Sequence, residues 1–283
     1  MMFRLQLGSI LFMVALLSAP VWSADMIEQV AAAHRNDQPV ASPAATTAPA
    51  RAVNGETVIY AQSASGEPVR GYLARPADAA PGTPGLIVIH EWWGLNDNIR
   101  QVTERLAAEG YVALAVDLYG GKTGADPKAA MGLMQTLQAN AEPANDNLRQ
   151  AFGYLRDRAG AKRIGVIGWC LGGQWSLRTA LLLPDSLDAA VIYYGSVTTD
   201  PAQLATLQMP ILANFAENDP IIPLDTVAEF RSTLQELGKN ADVKVYAGAQ
   251  HAFANPSGMA YDAAAAEDAW QRTTAFLRSQ LQR

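Results

Sequence analysis

The 283-residue chain contains one cysteine and three histidines, so thiol chemistry must run through Cys170 with a base drawn from His34, His90 or His251. Cys170 stands in Gly168-Trp169-Cys170-Leu171-Gly172, after an apolar run at 164–167 and before an amphipathic helical pattern over 174–183. A strand, a tight turn flanked by glycines and then a helix is the layout that lifts a nucleophile out of a sheet, usually with serine at its centre. Glycine is favoured at both flanks because a side chain there would meet the neighbouring strand and helix. The helix N-terminus behind the turn favours a thiolate and a developing oxyanion. The same pattern also fits a small buried cysteine in a glycine-rich turn.

A cysteine nucleophile needs a base and a group that orients it. His251 follows directly on the last apolar segment, 243–246, where a base could face the turn; the competing reading is a surface-loop histidine. His90 ends a strand and reads as a packed, hydrogen-bonded residue. His34 lies in a stretch rich in Ala and Pro and reads as solvated. For the acid, Asp219 stands just past the apolar run 211–216, with Pro220 fixing the turn. Glu217 competes for that role, and Asp225 reads as a helix N-cap. Cys170, Asp219 and His251, each beyond a successive strand, form a more specific signal than any one of them. In that arrangement His251 takes the thiol proton and later protonates the leaving group, while Asp219 fixes its tautomer.

Residues 85–94 add a strand ending in Glu91, Trp92 and Trp93. The loop after such a strand supplies one oxyanion N–H and the residue after the nucleophile the other, here Trp92 and Leu171. Glu91 is then expected beside the thiol, where a second negative charge opposes thiolate formation. This predicts a resting thiol that is neutral and held toward Glu91 until substrate arrives. A salt bridge between Glu91 and Arg100 is the plainer reading. Trp93, Tyr119, Tyr194 and Phe253 follow strand ends and could line an apolar pocket, although each also suits ordinary core. Trp169 and Trp175 read as packing.

The elements that position these residues alternate regularly. Strand patterns fall at 85–90, 111–116, 164–167, 189–194, 211–216 and 243–246; helical patterns fall at 96–109, 127–140, 144–158, 174–183, 225–237 and 260–282. Strands separated by helices imply parallel pairing with helices on both faces. Segments 56–61 and 68–75, around Ser65-Gly66-Glu67, predict an antiparallel hairpin at the sheet edge. Ahead of it, a basic start at Arg4, an apolar core at 5–17 and small residues to Ser23 read as a secretory signal peptide over 1–24. Residues 25–52 read as a flexible linker with one helical piece around 26–34, and 53–283 as the catalytic domain. A net charge of −6 gives no basic footprint for nucleic acid, and no internal apolar run reaches membrane-spanning length. The lone cysteine excludes an internal disulfide framework and any C-x-x-C or zinc spacing.

His90-Glu-Trp-Trp-Gly94, Val116-Asp-Leu-Tyr119, Gly165 to Gly173, Tyr193-Tyr-Gly195, Glu217-Asn-Asp219 and His251-Ala-Phe253 together resemble the dienelactone hydrolase family. The resemblance spans residue 56 to the C-terminus. It implies an α/β-hydrolase fold with a mostly parallel central sheet, and a Cys170–His251–Asp219 triad. It further implies that the Glu91 carboxylate interacts with the resting thiol. Family members that cleave dienelactone hold its carboxylate with two arginines, and this chain has Gly121 and Asn255 at those places. Lys122 offers only a flexible point charge in their stead. The expectation is a secreted or periplasmic, cofactor-independent and metal-free monomer. It would cleave a small ester, lactone or thioester, without nucleic-acid partners or stable membrane insertion. The alternative is a catalytically silent binding protein on the same fold.

Overall fold

The computed structural model describes residues 24–36 and 49–283. Eight strands form one sheet in the order β1-β2-β4-β3-β5-β6-β7-β8. The hairpin strands β1 (Val53–Gln62) and β2 (Pro68–Pro76) pair antiparallel, and β2 joins β4 (Val112–Val116) antiparallel. From β4 through β3 (Gly85–Ile89), β5 (Ile164–Trp169), β6 (Ala189–Tyr193), β7 (Ile211–Asn218) and β8 (Ala241–Gln250), all pairing is parallel. The alternation predicted this parallel pairing, and the whole is the α/β-hydrolase architecture that the resemblance implied.

The central strands are apolar on both sides because both sides are covered. Ile87 and Ile89 of β3 join one core cluster while Leu86 and Val88 join the other, as the two-residue period of a strand requires. The first cluster includes residues of α3 (Pro127–Ala139), α4 (Glu142–Gly153), α5 (Leu171–Leu182) and α7 (Leu224–Glu236). The second takes α2 (Asp97–Ala108) and α8 (Ala263–Leu281). Every catalytic candidate lies past the carboxyl end of a parallel strand, where such sheets place their sites.

Several boundaries differ from the sequence pattern. The helix expected over 144–158 begins earlier and ends as a π-helical turn, Tyr154–Arg158. Strand β8 is longer than its four-residue apolar signal, because only one face near the sheet edge is buried and the rest reads as polar. A short helix α6 (Pro201–Leu204), N-capped by Asp200, carried no periodic signal. Asp225 is not an N-cap: α7 starts at Leu224, after Pro223, so Asp225 sits in the first turn.

The largest difference is at the N-terminus. Residues 24–33 form helix α1, beside α3, and the chain after it turns His34 into the protein. The signal-peptide expectation falls on residues outside the described ones, apart from Ala24 itself.

Candidate active site

Cys170 sits at the junction of β5 and α5 with φ 54° and ψ −117°, a backbone conformation few side chains adopt. The glycines make that turn possible. A Cβ on Gly168 would collide with the carbonyl of Gly172, and one on Gly172 with the carbonyl of Ile89 in β3. Among the described residues, two other non-glycine residues have positive φ, Tyr194 at 36° and Ala252 at 62°, and both adjoin this centre. Backbone strain is therefore gathered around one thiol, as at sites where geometry is enforced by the fold.

The sulfur meets His251 directly. Nε2 of His251 lies 3.2 Å from Cys170 Sγ, and its Nδ1 lies 2.7 Å from Asp219 Oδ2. Asp219 is itself fixed, since Oδ1 accepts from the backbone N–H of Ile221 (2.8 Å) and Ile222 (3.0 Å). The side chains of His251 and Asp219 are only 3% and 1% exposed, so their attraction is barely screened. Glu217, the competing acid, points outward and accepts from Gly248 N–H at 2.8 Å. His90 is buried; Nδ1–H donates to the Glu91 carbonyl (2.6 Å) and Nε2 accepts from Leu118 N–H (3.2 Å). Burial lowers its pKa, so it is a neutral imidazole that holds two loops together.

Charge in the pair moves from sulfur to ring. Burial pushes the Cys170 pKa up, but the His251 charge and hydrogen bond, assisted by His34, outweigh this and leave it at about 6. Burial lowers the His251 pKa, while the charges of Asp219 and Cys170 raise it well above the ordinary value. The two groups titrate as one unit, a thiolate beside an imidazolium. A lowered thiol pKa runs against the neutral resting thiol expected from sequence. Oε2 of Glu91 accepts from Asn255 Nδ2 at 2.7 Å, and Cys170 Sγ lies close to nitrogens of both His34 and His251.

Leu171 is the first residue of α5, so its N–H has no acceptor within the helix. Trp92 lies opposite in the β3 loop, which is held by Tyr119 Oη–H donating to the Trp92 carbonyl at 3.0 Å. The rings of Trp92 and Trp93 are 4.8 Å apart and both are buried. Phe253 packs between Tyr194 and Tyr246 as core.

A cavity of about 110 Å³ opens beside the dyad, lined by Glu91, Asn255, Trp169, Tyr194, Arg105 and Trp270 among others. Of the four aromatics expected to line a pocket, Tyr194 lines this cavity. Trp169, read from sequence as packing, is part of the wall. Arg105, in the last turn of α2, was not singled out from sequence; its guanidinium stacks 4.1 Å from the Trp270 ring centre. At the two positions discussed for carboxylate binding, Gly121 donates its N–H to Asp117, and Asn255 is committed to Glu91.

His34 is the residue that sequence reasoning misplaced. Instead of being solvated it is 4% exposed, with its ring 4.8 Å from that of Trp92 and 5.4 Å from that of His251. Its ligating nitrogen, Cys170 Sγ and that of His251 all lie within 4.8 Å of one another. Nothing in its local sequence marks it, because the contact is formed across the whole fold.

Comparison with known proteins places this geometry. The sequence model of the dienelactone hydrolase family matches residues 69–281. "Protein usf" of Aquifex pyrophilus is 37% identical, over 77% of this chain and 96% of its own length. An Aquifex aeolicus relative named as a candidate carboxymethylenebutenolidase is 32% identical over the same shares. Among solved structures, a candidate dienelactone hydrolase from Klebsiella pneumoniae superposes with a TM-score of 0.71 at 28% identity, covering 80% of this chain and 98% of that one. A dienelactone hydrolase-like promiscuous phosphotriesterase from metagenomic libraries shares the fold, with a TM-score of 0.74 at 22% identity over 81% and 99% of the two chains.

Proposed function

The chain belongs to the dienelactone hydrolase family and is a hydrolase, and from that premise we propose that it cleaves small carboxylic esters, lactones or thioesters through Cys170, His251 and Asp219. The observation that carries this reading is the unbroken contact Sγ–Nε2, Nδ1–Oδ2 at the nucleophile turn. The thiol proton rests on His251 Nε2. The thiolate attacks the acyl carbon, forming a C–S bond, and the carbonyl π pair moves onto oxygen, received by the N–H groups of Leu171 and Trp92. As that pair returns, the bond to the leaving group breaks and Nε2–H protonates the departing oxygen or sulfur. A water then gives its proton to Nε2 while its oxygen adds to the thioester. Collapse expels the Cys170 thiolate and releases the carboxylic acid.

Asp219 stays ionised throughout, keeping Nδ1–H in place and the ring aimed at sulfur. Glu91 borders both the centre and the cavity. We place it as a carboxylate that shapes the substrate end of the site, held back by Asn255. The test is a panel of short aryl esters, lactones and acyl thioesters offered to the exported protein and to Cys170→Ala. Turnover that vanishes in the variant, with an acyl adduct on the wild-type thiol by mass spectrometry, is the expected result. Undiminished turnover by Cys170→Ala would remove the nucleophile from the scheme.

We further propose export, with cleavage near Ala24, from the basic, apolar and small-residue order of the first residues. An intact mass that retains residues 1–17 in the exported protein would end that reading.

A further inference from the structure

Helix α1 is too short to stand alone in water, so what docks it deserves a physical account. Among residues 28–36 only Val30 and His34 are buried. They are four apart and so share one helical face, with His34 N–H bonded to the Val30 carbonyl at 3.1 Å. Val30 enters the main core cluster and is 1% exposed. Glu28, Gln29 and Ala31 to Ala33 face solvent. Among these described side chains, Val30 is an anchor and His34 a polar side chain delivered to a chosen place. That place is the nucleophile.

We propose that His34 is a further functional side chain of the nucleophilic centre beyond the triad, a second imidazole that, beside His251, stabilises the anionic Cys170 sulfur. The inference rests on the triad reading above and adds a residue to it. Burying an imidazole is costly unless it finds a polar partner, and the partner here is the sulfur. Its ring is tilted 39° against Trp92 and edge-on, at 80°, to His251, so both its faces are held and its rotation is fixed. Hydrogen bonding and charge from His34 act on the thiol in the same direction as those from His251. An N–H from His34 can donate to the thiolate whether the ring is neutral or charged.

The other titratable groups facing the sulfur push the opposite way or not at all. Tyr119, after β4, and Tyr194, after β6, have their pKa values raised well above normal by burial, and the charge on Cys170 adds to this. Both remain neutral. Glu91, after β3, adds negative potential at Tyr194. His34 and His251 both favour the thiolate, His251 more strongly, so losing His34 shifts the thiol toward its neutral form.

With α1 in place the sulfur is nearly closed to solvent, Cys170 being 6% exposed. His34 thereby forms part of the wall around the sulfur.

The test uses the full chain with His34→Ala, His34→Gln and His34→Phe, each checked for an unchanged thermal melt. Phe keeps a ring on Trp92 without an N–H, while Gln keeps a donor. The rate of Cys170 alkylation by iodoacetamide is followed against pH, alongside kcat/KM for an aryl ester. The wild-type midpoint is expected near about 6. Ala and Phe should move it up by about one pH unit, the low end for losing a close favourable partner, and Gln by less. Turnover near pH 6 should fall roughly tenfold in step and recover at higher pH. Unmoved midpoints in Ala and Phe would reduce His34 to packing. Faster alkylation and turnover without a midpoint shift would make α1 a plug, and would equally overturn the proposal. If instead Cys170→Ala stays active, the triad reading fails and these variants are not its cause.

Discussion

The chemistry turns on one proton shared between sulfur and imidazole. Since Cys170 is lowered to about 6 and His251 is raised, the thiolate–imidazolium form exists above about pH 6 and below the raised His251 value. Activity should therefore climb as pH rises through about 6 and decline only when the imidazolium loses its proton; a kcat/KM profile with no acid limb near there would contradict the pairing. The acid that holds the ring is equally testable. Asp219→Asn keeps the shape but leaves His251 Nδ1 without its anionic partner, and should cost about a hundredfold or more in kcat. Glu217→Gln removes only an exposed acceptor for Gly248 and should leave kcat within about twofold. Steady-state kinetics of the two variants side by side decides the assignment, and equal damage from both would reverse it.

At the scale of elements, the turn between β5 and α5 carries the site. Gly172 lies against the β3 backbone, and a methyl there has no flexible neighbour to displace. Gly172→Ala should thus destabilise the protein by about 2–4 kcal/mol, like other overpacked or strained core changes, and abolish turnover with it. A thermal melt and an ester assay check this, and an unshifted melt would mean the turn can open. This element was legible because its signal is local: an apolar run, glycines at fixed offsets and a helical period, all within residues 164–183. The Asp219 and His251 positions were legible for the same reason, each following its own strand. Helix α1 was only half legible. Its helical character showed around residues 26–34, but its docking did not, because a short segment in a stretch rich in Ala and Pro carries no local sign of what it packs against. The partners that bury His34, namely Trp92, Cys170 and His251, come from three distant segments. The partner of Glu91 was not legible for a related reason, since Asn255, which donates to its carboxylate, lies 164 residues away.

At the scale of the whole molecule, the sheet separates two packed cores and leaves the carboxyl strand ends to build one centre, with α1 and the cavity on different sides of it. Choice of substrate is decided by what charge this arrangement can present to it. A dicarboxylate-like or acid-bearing lactone needs a cation fixed near the acyl site. Gly121 supplies none and Asn255 is engaged by Glu91, so weak cleavage of dienelactone is expected relative to neutral aryl esters, measured as the ratio of kcat/KM values. Restoring a guanidinium is informative at one position only. An arginine at 255 would meet the Glu91 carboxylate before any substrate, and would pair with it. Around Gly121, by contrast, nothing lies within 4 Å of an added Cβ, although φ there is +85° and a side chain costs about 1–2 kcal/mol of backbone strain. Gly121→Arg should therefore raise kcat/KM for the acid-bearing lactone several-fold, with little change for the neutral ester and a modest loss in melting temperature. Efficient cleavage of dienelactone by the wild type would overturn this, and would direct attention to Arg105, the guanidinium already lining the cavity beside Glu91.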